Sequence, residues 1–453
     1  MLKNALEKLR DARRRDLDDL MALLAIPSVS ADSARAGDCL AAAELIAGWL
    51  GALGFEAAID RGPGRPAVVA ARREDPALPT LLVYGHYDVQ PPEPLELWHS
   101  EPFRPQVRDG RIYARGASDD KGQLMAWIMA ARALLSAAGR LPVNLKFLIE
   151  GEEETGSNTL GDFLAANAER LRCDLAAISD TSFFNPQTPA ITYGLRGITC
   201  CEIQLTGPGR DLHSGLYGGI APNPLHAMAA LLATLHTPGG EIAVTGIYDD
   251  VQPVSPAELA EWSALDLTAE DLAAEMQCVA LPSWARDDYL LRNWARPSLD
   301  VNGLWGGYSG EGVKTVIPSW ARAKLSMRLA AGQSRQRAAG LLREHLQRHA
   351  PAGFTLKITD LGGEDPWQMP ADSPVLLKAK AAVSAAFEKP CVLIRGGASV
   401  PVTVQIRRVL GCDPVMMGFG LASDNIHSPN ENYPLDHFHR GSEAALRFLT
   451  SLA

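Results

Sequence analysis

Three short apolar runs in this chain each stop on a cluster of acids or a histidine. Pro79-Thr-Leu-Leu-Val-Tyr84 leads into Gly85-His-Tyr-Asp-Val89, Val143-Asn-Leu-Lys-Phe-Leu-Ile149 into Glu150-Gly-Glu-Glu-Glu154, and Leu175-Ala-Ala-Ile-Ser179 into Asp180. Runs of this length and composition read as buried strands. The stretch Leu124–Ala138, with Trp127 and Met129, reads as a buried helix between them. Strands alternating with helices predict an α/β domain with a mostly parallel sheet flanked by helices. In such sheets ligands bind outside the carboxyl ends of the strands. His86, Asp88, Glu152 to Glu154 and Asp180 are therefore placed to converge, although dozens of residues separate them.

The pattern changes after Tyr193-Gly-Leu-Arg-Gly197. Strand-like segments 198–205, 321–329 and 354–358 and helical segments 222–235 and 333–348 predict an antiparallel sheet carrying two helices. Residues 236–300 read as irregular or helical. Earlier, helices are expected over Leu2–Leu24 and Asp38–Leu53. A helical pattern resumes at Ser373–Phe387, with Ser373 as cap and Pro374 in the first turn. The expected organisation is an α/β domain of residues 1–194 and 363–453, with an α+β domain inserted at 195–362. A chain of 453 residues is long enough for two such cores.

Hydrophobic residues make up 47% and charged residues 21%, the balance of a globular chain and not of a disordered one. The formal charge of −10 argues against a nucleic-acid partner. The basic run Arg13-Arg14-Arg15 sits among aspartates and reads as a solvated helix face. Seven scattered cysteines without a C-x-x-C pair suit a reducing compartment. The first residues alternate charge where a secretory signal needs an apolar core, and no apolar run is long enough to span a membrane. A soluble, cytoplasmic protein without a membrane partner is the expectation.

Two further polar loops complete the inventory, Arg115-Gly-Ala-Ser-Asp-Asp-Lys-Gly122 and Ser423-Asp-Asn-Ile-His427-Ser-Pro. Carboxylates brought together repel one another unless a cation sits among them. Three acids and two histidines suit two divalent metals that share one bridging carboxylate, at the separation of about 3.5–4 Å found in two-metal hydrolases. Mixed nitrogen and oxygen ligation favours zinc, with manganese or cobalt as substitutes.

Taken in order, Gly-His86-Tyr-Asp-Val, Gly-Ala-Ser-Asp119-Asp-Lys-Gly, Glu153-Glu154-Thr-Gly-Ser, Ile-Ser-Asp180 and Asn-Ile-His427-Ser-Pro-Asn-Glu resemble the di-zinc metallopeptidase family. That family includes carnosine dipeptidases, glutamate carboxypeptidase, aminoacylases, acetylornithine deacetylase and succinyl-diaminopimelate desuccinylase. The resemblance runs from Ile26-Pro-Ser-Val to the C-terminal loop and is strongest to the cytosolic, carnosine-type dipeptidases. It implies that Asp119 bridges two metals, that His86 and Asp180 complete one site, and that Glu154 and His427 complete the other. It implies Glu153 as general base, Asp88 as the carboxylate that sets the His86 tautomer, and a cis Asp119-Asp120 peptide bond. An aspartate at position 180 leans toward peptidase. From the inserted domain, the resemblance implies His213 as an oxyanion donor reaching into a partner subunit, hence a homodimer joined through this lid. It implies Arg328 as the holder of a substrate carboxylate, Ser399 in a substrate-contact loop, and Asn302 and Thr315 as further substrate contacts.

The implied activity is metal-dependent hydrolysis of a dipeptide with a free carboxylate. An N-acyl amino acid deacylase would use the same centre, and a metal-binding scaffold without turnover would have no need of Glu153. Two histidine pairs are set aside. His345 and His349 have helical metal-pair spacing, but beside Arg343, Glu344 and Arg348 they read as a solvated face. His437 and His439 read as a polar helix start.

Overall fold

Parallel pairing joins strand Thr80–His86 to Asn144–Glu150 on one side and to Leu175–Ile178 on the other, and Leu175–Ile178 in turn to Pro414–Met416. All four are buried on both faces, which is why they read as continuous apolar runs. The computed structural model describes all residues, 1–453. Antiparallel strands flank this parallel centre: Ala67–Arg72 with Glu56–Asp60 beyond it on one side, and Ala190–Leu195 on the other. Helix Lys121–Ala138 packs on strand Thr80–His86, helix Leu435–Ser451 packs on that helix, and Ala36–Ala52 covers the strands at the antiparallel edge. The anticipated long first helix is two helices, Leu2–Asp11 and Arg13–Leu24, which meet at Ala12. Ser373 occupies the expected cap position and Pro374 the first turn, although the serine hydroxyl makes no capping bond.

A small three-stranded ladder fixes the C-terminal loop. Asn432–Pro434 pairs antiparallel with Arg111–Tyr113, setting Asn432 opposite Tyr113. That register delivers Glu431 beside the turn beginning at Ala114, whose N–H donates to the Glu431 carbonyl.

The chain divides into two units. One comprises Met1–Tyr193, Met369–Ile394 and Pro401–Ala453; the other comprises Gly194–Gln368 and Arg395–Val400. The second unit is an antiparallel sheet in the order Ser298–Gly306, Trp320–Leu329, Gly197–Thr206, Thr355–Glu364. Strand Gly197–Thr206 alternates buried and half-buried residues along its whole length. Its buried face, with Ile203 and Leu205, packs with Met228 and Leu231 of helix Pro224–Ala233 and Leu342 and Leu346 of helix Arg335–His349. Residues 236–300, expected to be irregular or helical, hold three short α-helices, Pro256–Ser263, Ala269–Glu275 and Tyr289–Ala295, before the strand beginning at Ser298. No helix is long and apolar enough to cross a membrane.

His345 corrects one expectation. It is buried on the apolar stripe of its helix, with Nε2 3.0 Å from the Thr234 hydroxyl, while its charged neighbours turn outward; His349 alone is exposed. His437 is buried too, with Nδ1 2.7 Å from the Phe419 carbonyl.

Candidate metal centre

The parallel register sets His86 level with Glu150, so the polar tails of neighbouring strands emerge at one edge. His86 is fully buried. Its Nδ1 lies 3.1 Å from the Asp88 carbonyl oxygen and 3.4 Å from Asp88 Oδ1. An Nδ1–H donated there leaves the Nε2 lone pair facing Asp119 Oδ1 at 3.0 Å and Asp180 Oδ2 at 3.9 Å. Nε2 is buried and makes no hydrogen bond. The other oxygen of the same aspartate, Asp119 Oδ2, lies 2.9 Å from His427 Nε2, which is 3.2 Å from Glu154 Oε2. Two donor sets therefore form, His86–Asp119–Asp180 and Asp119–Glu154–His427, with ligand atoms in each within 4.8 Å of one another. A carboxylate with one oxygen in each set, opposite an imidazole nitrogen lacking a proton partner, fits two divalent cations.

Glu153 lies beside this cluster and in neither set. Burial, and then the charges of Asp180, Glu154 and Asp119, push its pKa up to about 8 against the opposing pull of His86. Asp180 is also raised, by burial first and then by the Asp119 charge. Burial opposes the charge on Asp119, but its hydrogen bond with His427 and the nearby His86 imidazole prevail and hold it below the ordinary range. His427 is drawn up to about 10 by its bonds to Asp119 and Glu154. Acids raised beside a cluster of acids are the electrostatic mark of a site built around positive charge.

Three supporting features lie beyond the sequence reading. Asp88 accepts hydrogen bonds from the backbone N–H groups of both Glu153 and Glu154, at 3.2 and 3.1 Å, besides facing His86. One carboxylate thus orients a ligand and sets the turn that carries the glutamate pair. Glu431 accepts from the N–H groups of Gly116, Ser118 and Asp119 at 2.9, 3.0 and 3.2 Å, and from Arg115 Nη1 at 2.8 Å. It is the clamp on the turn that presents Asp119. Gln90 Nε2 donates to Glu154 Oε2 at 2.9 Å. The Asp119-Asp120 peptide bond is cis.

The remaining candidates belong to the second unit. His213 pairs with Val316 in a two-residue ladder, and Ser214 N–H donates to the Thr315 carbonyl, so His213 and Thr315 are neighbours. His213 Nδ1 accepts from Gly215 N–H at 3.0 Å, which places the ring proton on Nε2 and makes that atom a donor. Arg328 Nη1 donates to Ser399 Oγ at 2.9 Å, and Ser399 Oγ donates to the Arg196 carbonyl at 2.5 Å. Arg196 had signalled only a change of pattern. It anchors this loop through Nε to the Gly397 carbonyl at 2.9 Å and through Nη2 to Asn293 at 3.1 Å. A Cβ on Gly397 would meet Asn293 Oδ1 at 2.2 Å, so a larger residue there would displace the side chain that Arg196 bonds. Asn302 stands apart, exposed at a β-bulge four residues along the edge strand from Ser298, the residue opposite Arg328.

The model of peptidase family M20/M25/M40 matches residues 82–451. The Cys-Gly metallodipeptidase dug1 of Schizosaccharomyces pombe is 32% identical, covering 100% of this chain and 99% of its own. The human Beta-Ala-His dipeptidase is 31% identical over 88% of this chain and 81% of its own. Among solved structures, an M20 family metallo-carboxypeptidase from Sulfolobus solfataricus superposes with a TM-score of 0.85 at 31% identity, covering 96% of this chain and 99% of that one.

Proposed function

Because the chain belongs to peptidase family M20/M25/M40, we propose that it is a two-metal dipeptidase, cleaving the amide bond of a dipeptide with a free C-terminal carboxylate. The observation that carries this reading is Asp119, one oxygen in each of two donor sets, with Glu153 beside both and part of neither. His86 and Asp180 would hold one divalent ion, and Glu154 and His427 the other, with Asp119 between. Zinc fits this donor chemistry, and manganese or cobalt could replace it. Such ions polarise a carbonyl and lower the pKa of water.

The chain's own groups supply the rest. Glu153 takes the proton of the attacking water and delivers it to the leaving amine, a task open to a carboxylate that stands beside both donor sets and is bound into neither. Asp88 keeps the His86 proton on Nδ1 and holds the backbone of Glu153 and Glu154 still. His213, with its proton on Nε2, donates to the oxygen that gains charge as the carbonyl becomes tetrahedral. The Arg328 guanidinium, aligned by Ser399, receives the substrate carboxylate. Asn302 and Thr315 are further substrate contacts in this reading. The unit of Met1–Tyr193, Met369–Ile394 and Pro401–Ala453 serves as the catalytic domain, and the unit of Gly194–Gln368 and Arg395–Val400, wider than the expected 195–362, as a lid that joins two subunits and brings His213 of one chain to the site of the other.

The names of the two curated relatives above, both dipeptidases, support the substrate class. The test is hydrolysis of a dipeptide panel against matched N-acetyl amino acids, after chelation and with zinc or manganese restored. Metal-dependent cleavage of dipeptides is the expected result. Preference for the acetyl compounds would make the protein a deacylase with the same centre, and no turnover on either panel would overturn the proposed substrate.

A further inference from the structure

The seven cysteines contain no C-x-x-C pair, yet the sulfurs of Cys173 and Cys412, 239 positions apart, meet at 3.5 Å. The topology explains the meeting. Cys173 stands two residues before strand Leu175–Ile178 and Cys412 two residues before strand Pro414–Met416, and these strands are parallel neighbours. The ladder sets Pro414 opposite Ala176, so Cys412 is level with Asp174, one residue from Cys173; a strand spacing of about 4.8 Å with one residue of stagger, about 3.3 Å, stays inside the Cα separation of about 4.4–6.8 Å that a disulfide spans. Both residues are half-buried, and Cys173 also lines a cavity of 430 Å³ beside Thr80, Asn144 and Lys146.

We propose that Cys173 and Cys412 are a thiol–disulfide modification site, oxidised by low-molecular-weight disulfides to a bond that joins the entries of two central strands. The two thiols share a hydrogen bond in which either sulfur can donate; with Cys173 as the donor the bond stabilises the Cys412 thiolate, and Cys412 attacks first. It attacks one sulfur of the small disulfide RSSR, forming Cys412–S–S–R and releasing RS⁻. Cys173 then loses its proton to solvent and attacks Cys412 Sγ, forming the Cys173–Cys412 bond and releasing a second RS⁻. The protein gives up two electrons and two protons, and RSSR leaves as two thiols. Cys173 precedes Asp180 by seven residues, roughly 20 Å of extended chain, so the bond forms far from the metal donors. Its effect falls on stability, not turnover, because it closes a long loop of the unfolded chain.

The test incubates the purified, zinc-loaded protein with oxidised glutathione, alkylates it without reduction and maps its peptides by mass spectrometry. The expected product is one linked species of the Cys173 and Cys412 peptides, about 2 Da lighter than the two thiol peptides together and separated again by reduction. Exposed Cys278 serves as the internal control, limited to a mixed disulfide. The Cys173→Ser protein is expected to stop at glutathionylated Cys412, because the resolving thiol is gone. The linked protein is expected to unfold at a higher temperature than glutathione-treated Cys173→Ser, with unchanged turnover. Recovery of both cysteines as separate thiols or mixed disulfides, under conditions where Cys278 reacts, overturns the proposal.

Discussion

Glu153 and Glu154 are adjacent acids in one short turn, and position alone separates their roles. Glu154 Oε2 faces His427 at 3.2 Å and is bonded by Gln90, whereas Glu153 remains outside both donor sets. Replacing Glu153 by glutamine preserves shape and removes only the capacity to take a proton. The Glu153→Gln protein is therefore expected to keep two metals per chain by elemental analysis while kcat falls by about 10²–10⁴-fold, the usual worth of a positioned acid–base group. Loss of metal together with activity would move Glu153 into the ligand set. Loss of neither would remove it from the reaction.

Elements decide what a single residue can do, and here the sequence was legible in some places and silent in others. Three of the four parallel strands end in polar tails, so the convergence of His86, Glu154 and Asp180 could be read from apolar runs and their last residues. Strands Glu56–Asp60 and Ala67–Arg72 escaped because they are rich in alanine, which has little preference for strands. Glu431 closes the His427 motif, but its role escaped for a different reason: its partners lie more than three hundred residues upstream and are mostly backbone N–H groups, which leave no trace in side-chain pattern. Glu431→Ala would bury three such donors and Arg115 without their acceptor. It is expected to destabilise the protein by about 3–5 kcal/mol in denaturant titration and to weaken metal binding, with Glu431→Gln milder on both counts. Wild-type stability in the alanine protein would show that the clamp carries no load. Strand Asn144–Glu150 carries a second test. Glu150 accepts from the Tyr84 hydroxyl and, at 2.9 Å, from Ser157, and burial raises its pKa from the usual 4.5 to about 8. A carboxyl whose folded pKa is raised stabilises the fold fully below its unfolded pKa, and that contribution disappears as pH rises through the folded value. The stability advantage of wild type over Glu150→Gln should therefore shrink steadily between about pH 5 and pH 8. A difference independent of pH would mean that Glu150 ionises normally.

The whole molecule poses a question that no single chain can answer, since the proposed oxyanion donor and the proposed base sit in different units. His213 belongs to the second unit and Glu153 to the first. If His213 acts in its own chain, a chain with one defect and a chain with the other stay dead when mixed. If it acts across a two-fold dimer, each active site draws Glu153 from one subunit and His213 from its partner. A mixed dimer of Glu153→Gln and His213→Ala chains then contains one site with both defects and one site with neither. Random exchange of equal amounts makes half of all dimers mixed, each with one intact site of two. Refolding or exchanging the two inactive proteins together should thus restore about one quarter of wild-type activity. The His213→Ala protein alone should retain about 10⁻²–10⁻³ of wild-type kcat, the cost of removing one oxyanion donor. Restoration identifies the dimer as the catalytic unit and places the lid histidine in trans. Continued inactivity in exchanged dimers would return His213 to its own chain or remove it from the mechanism.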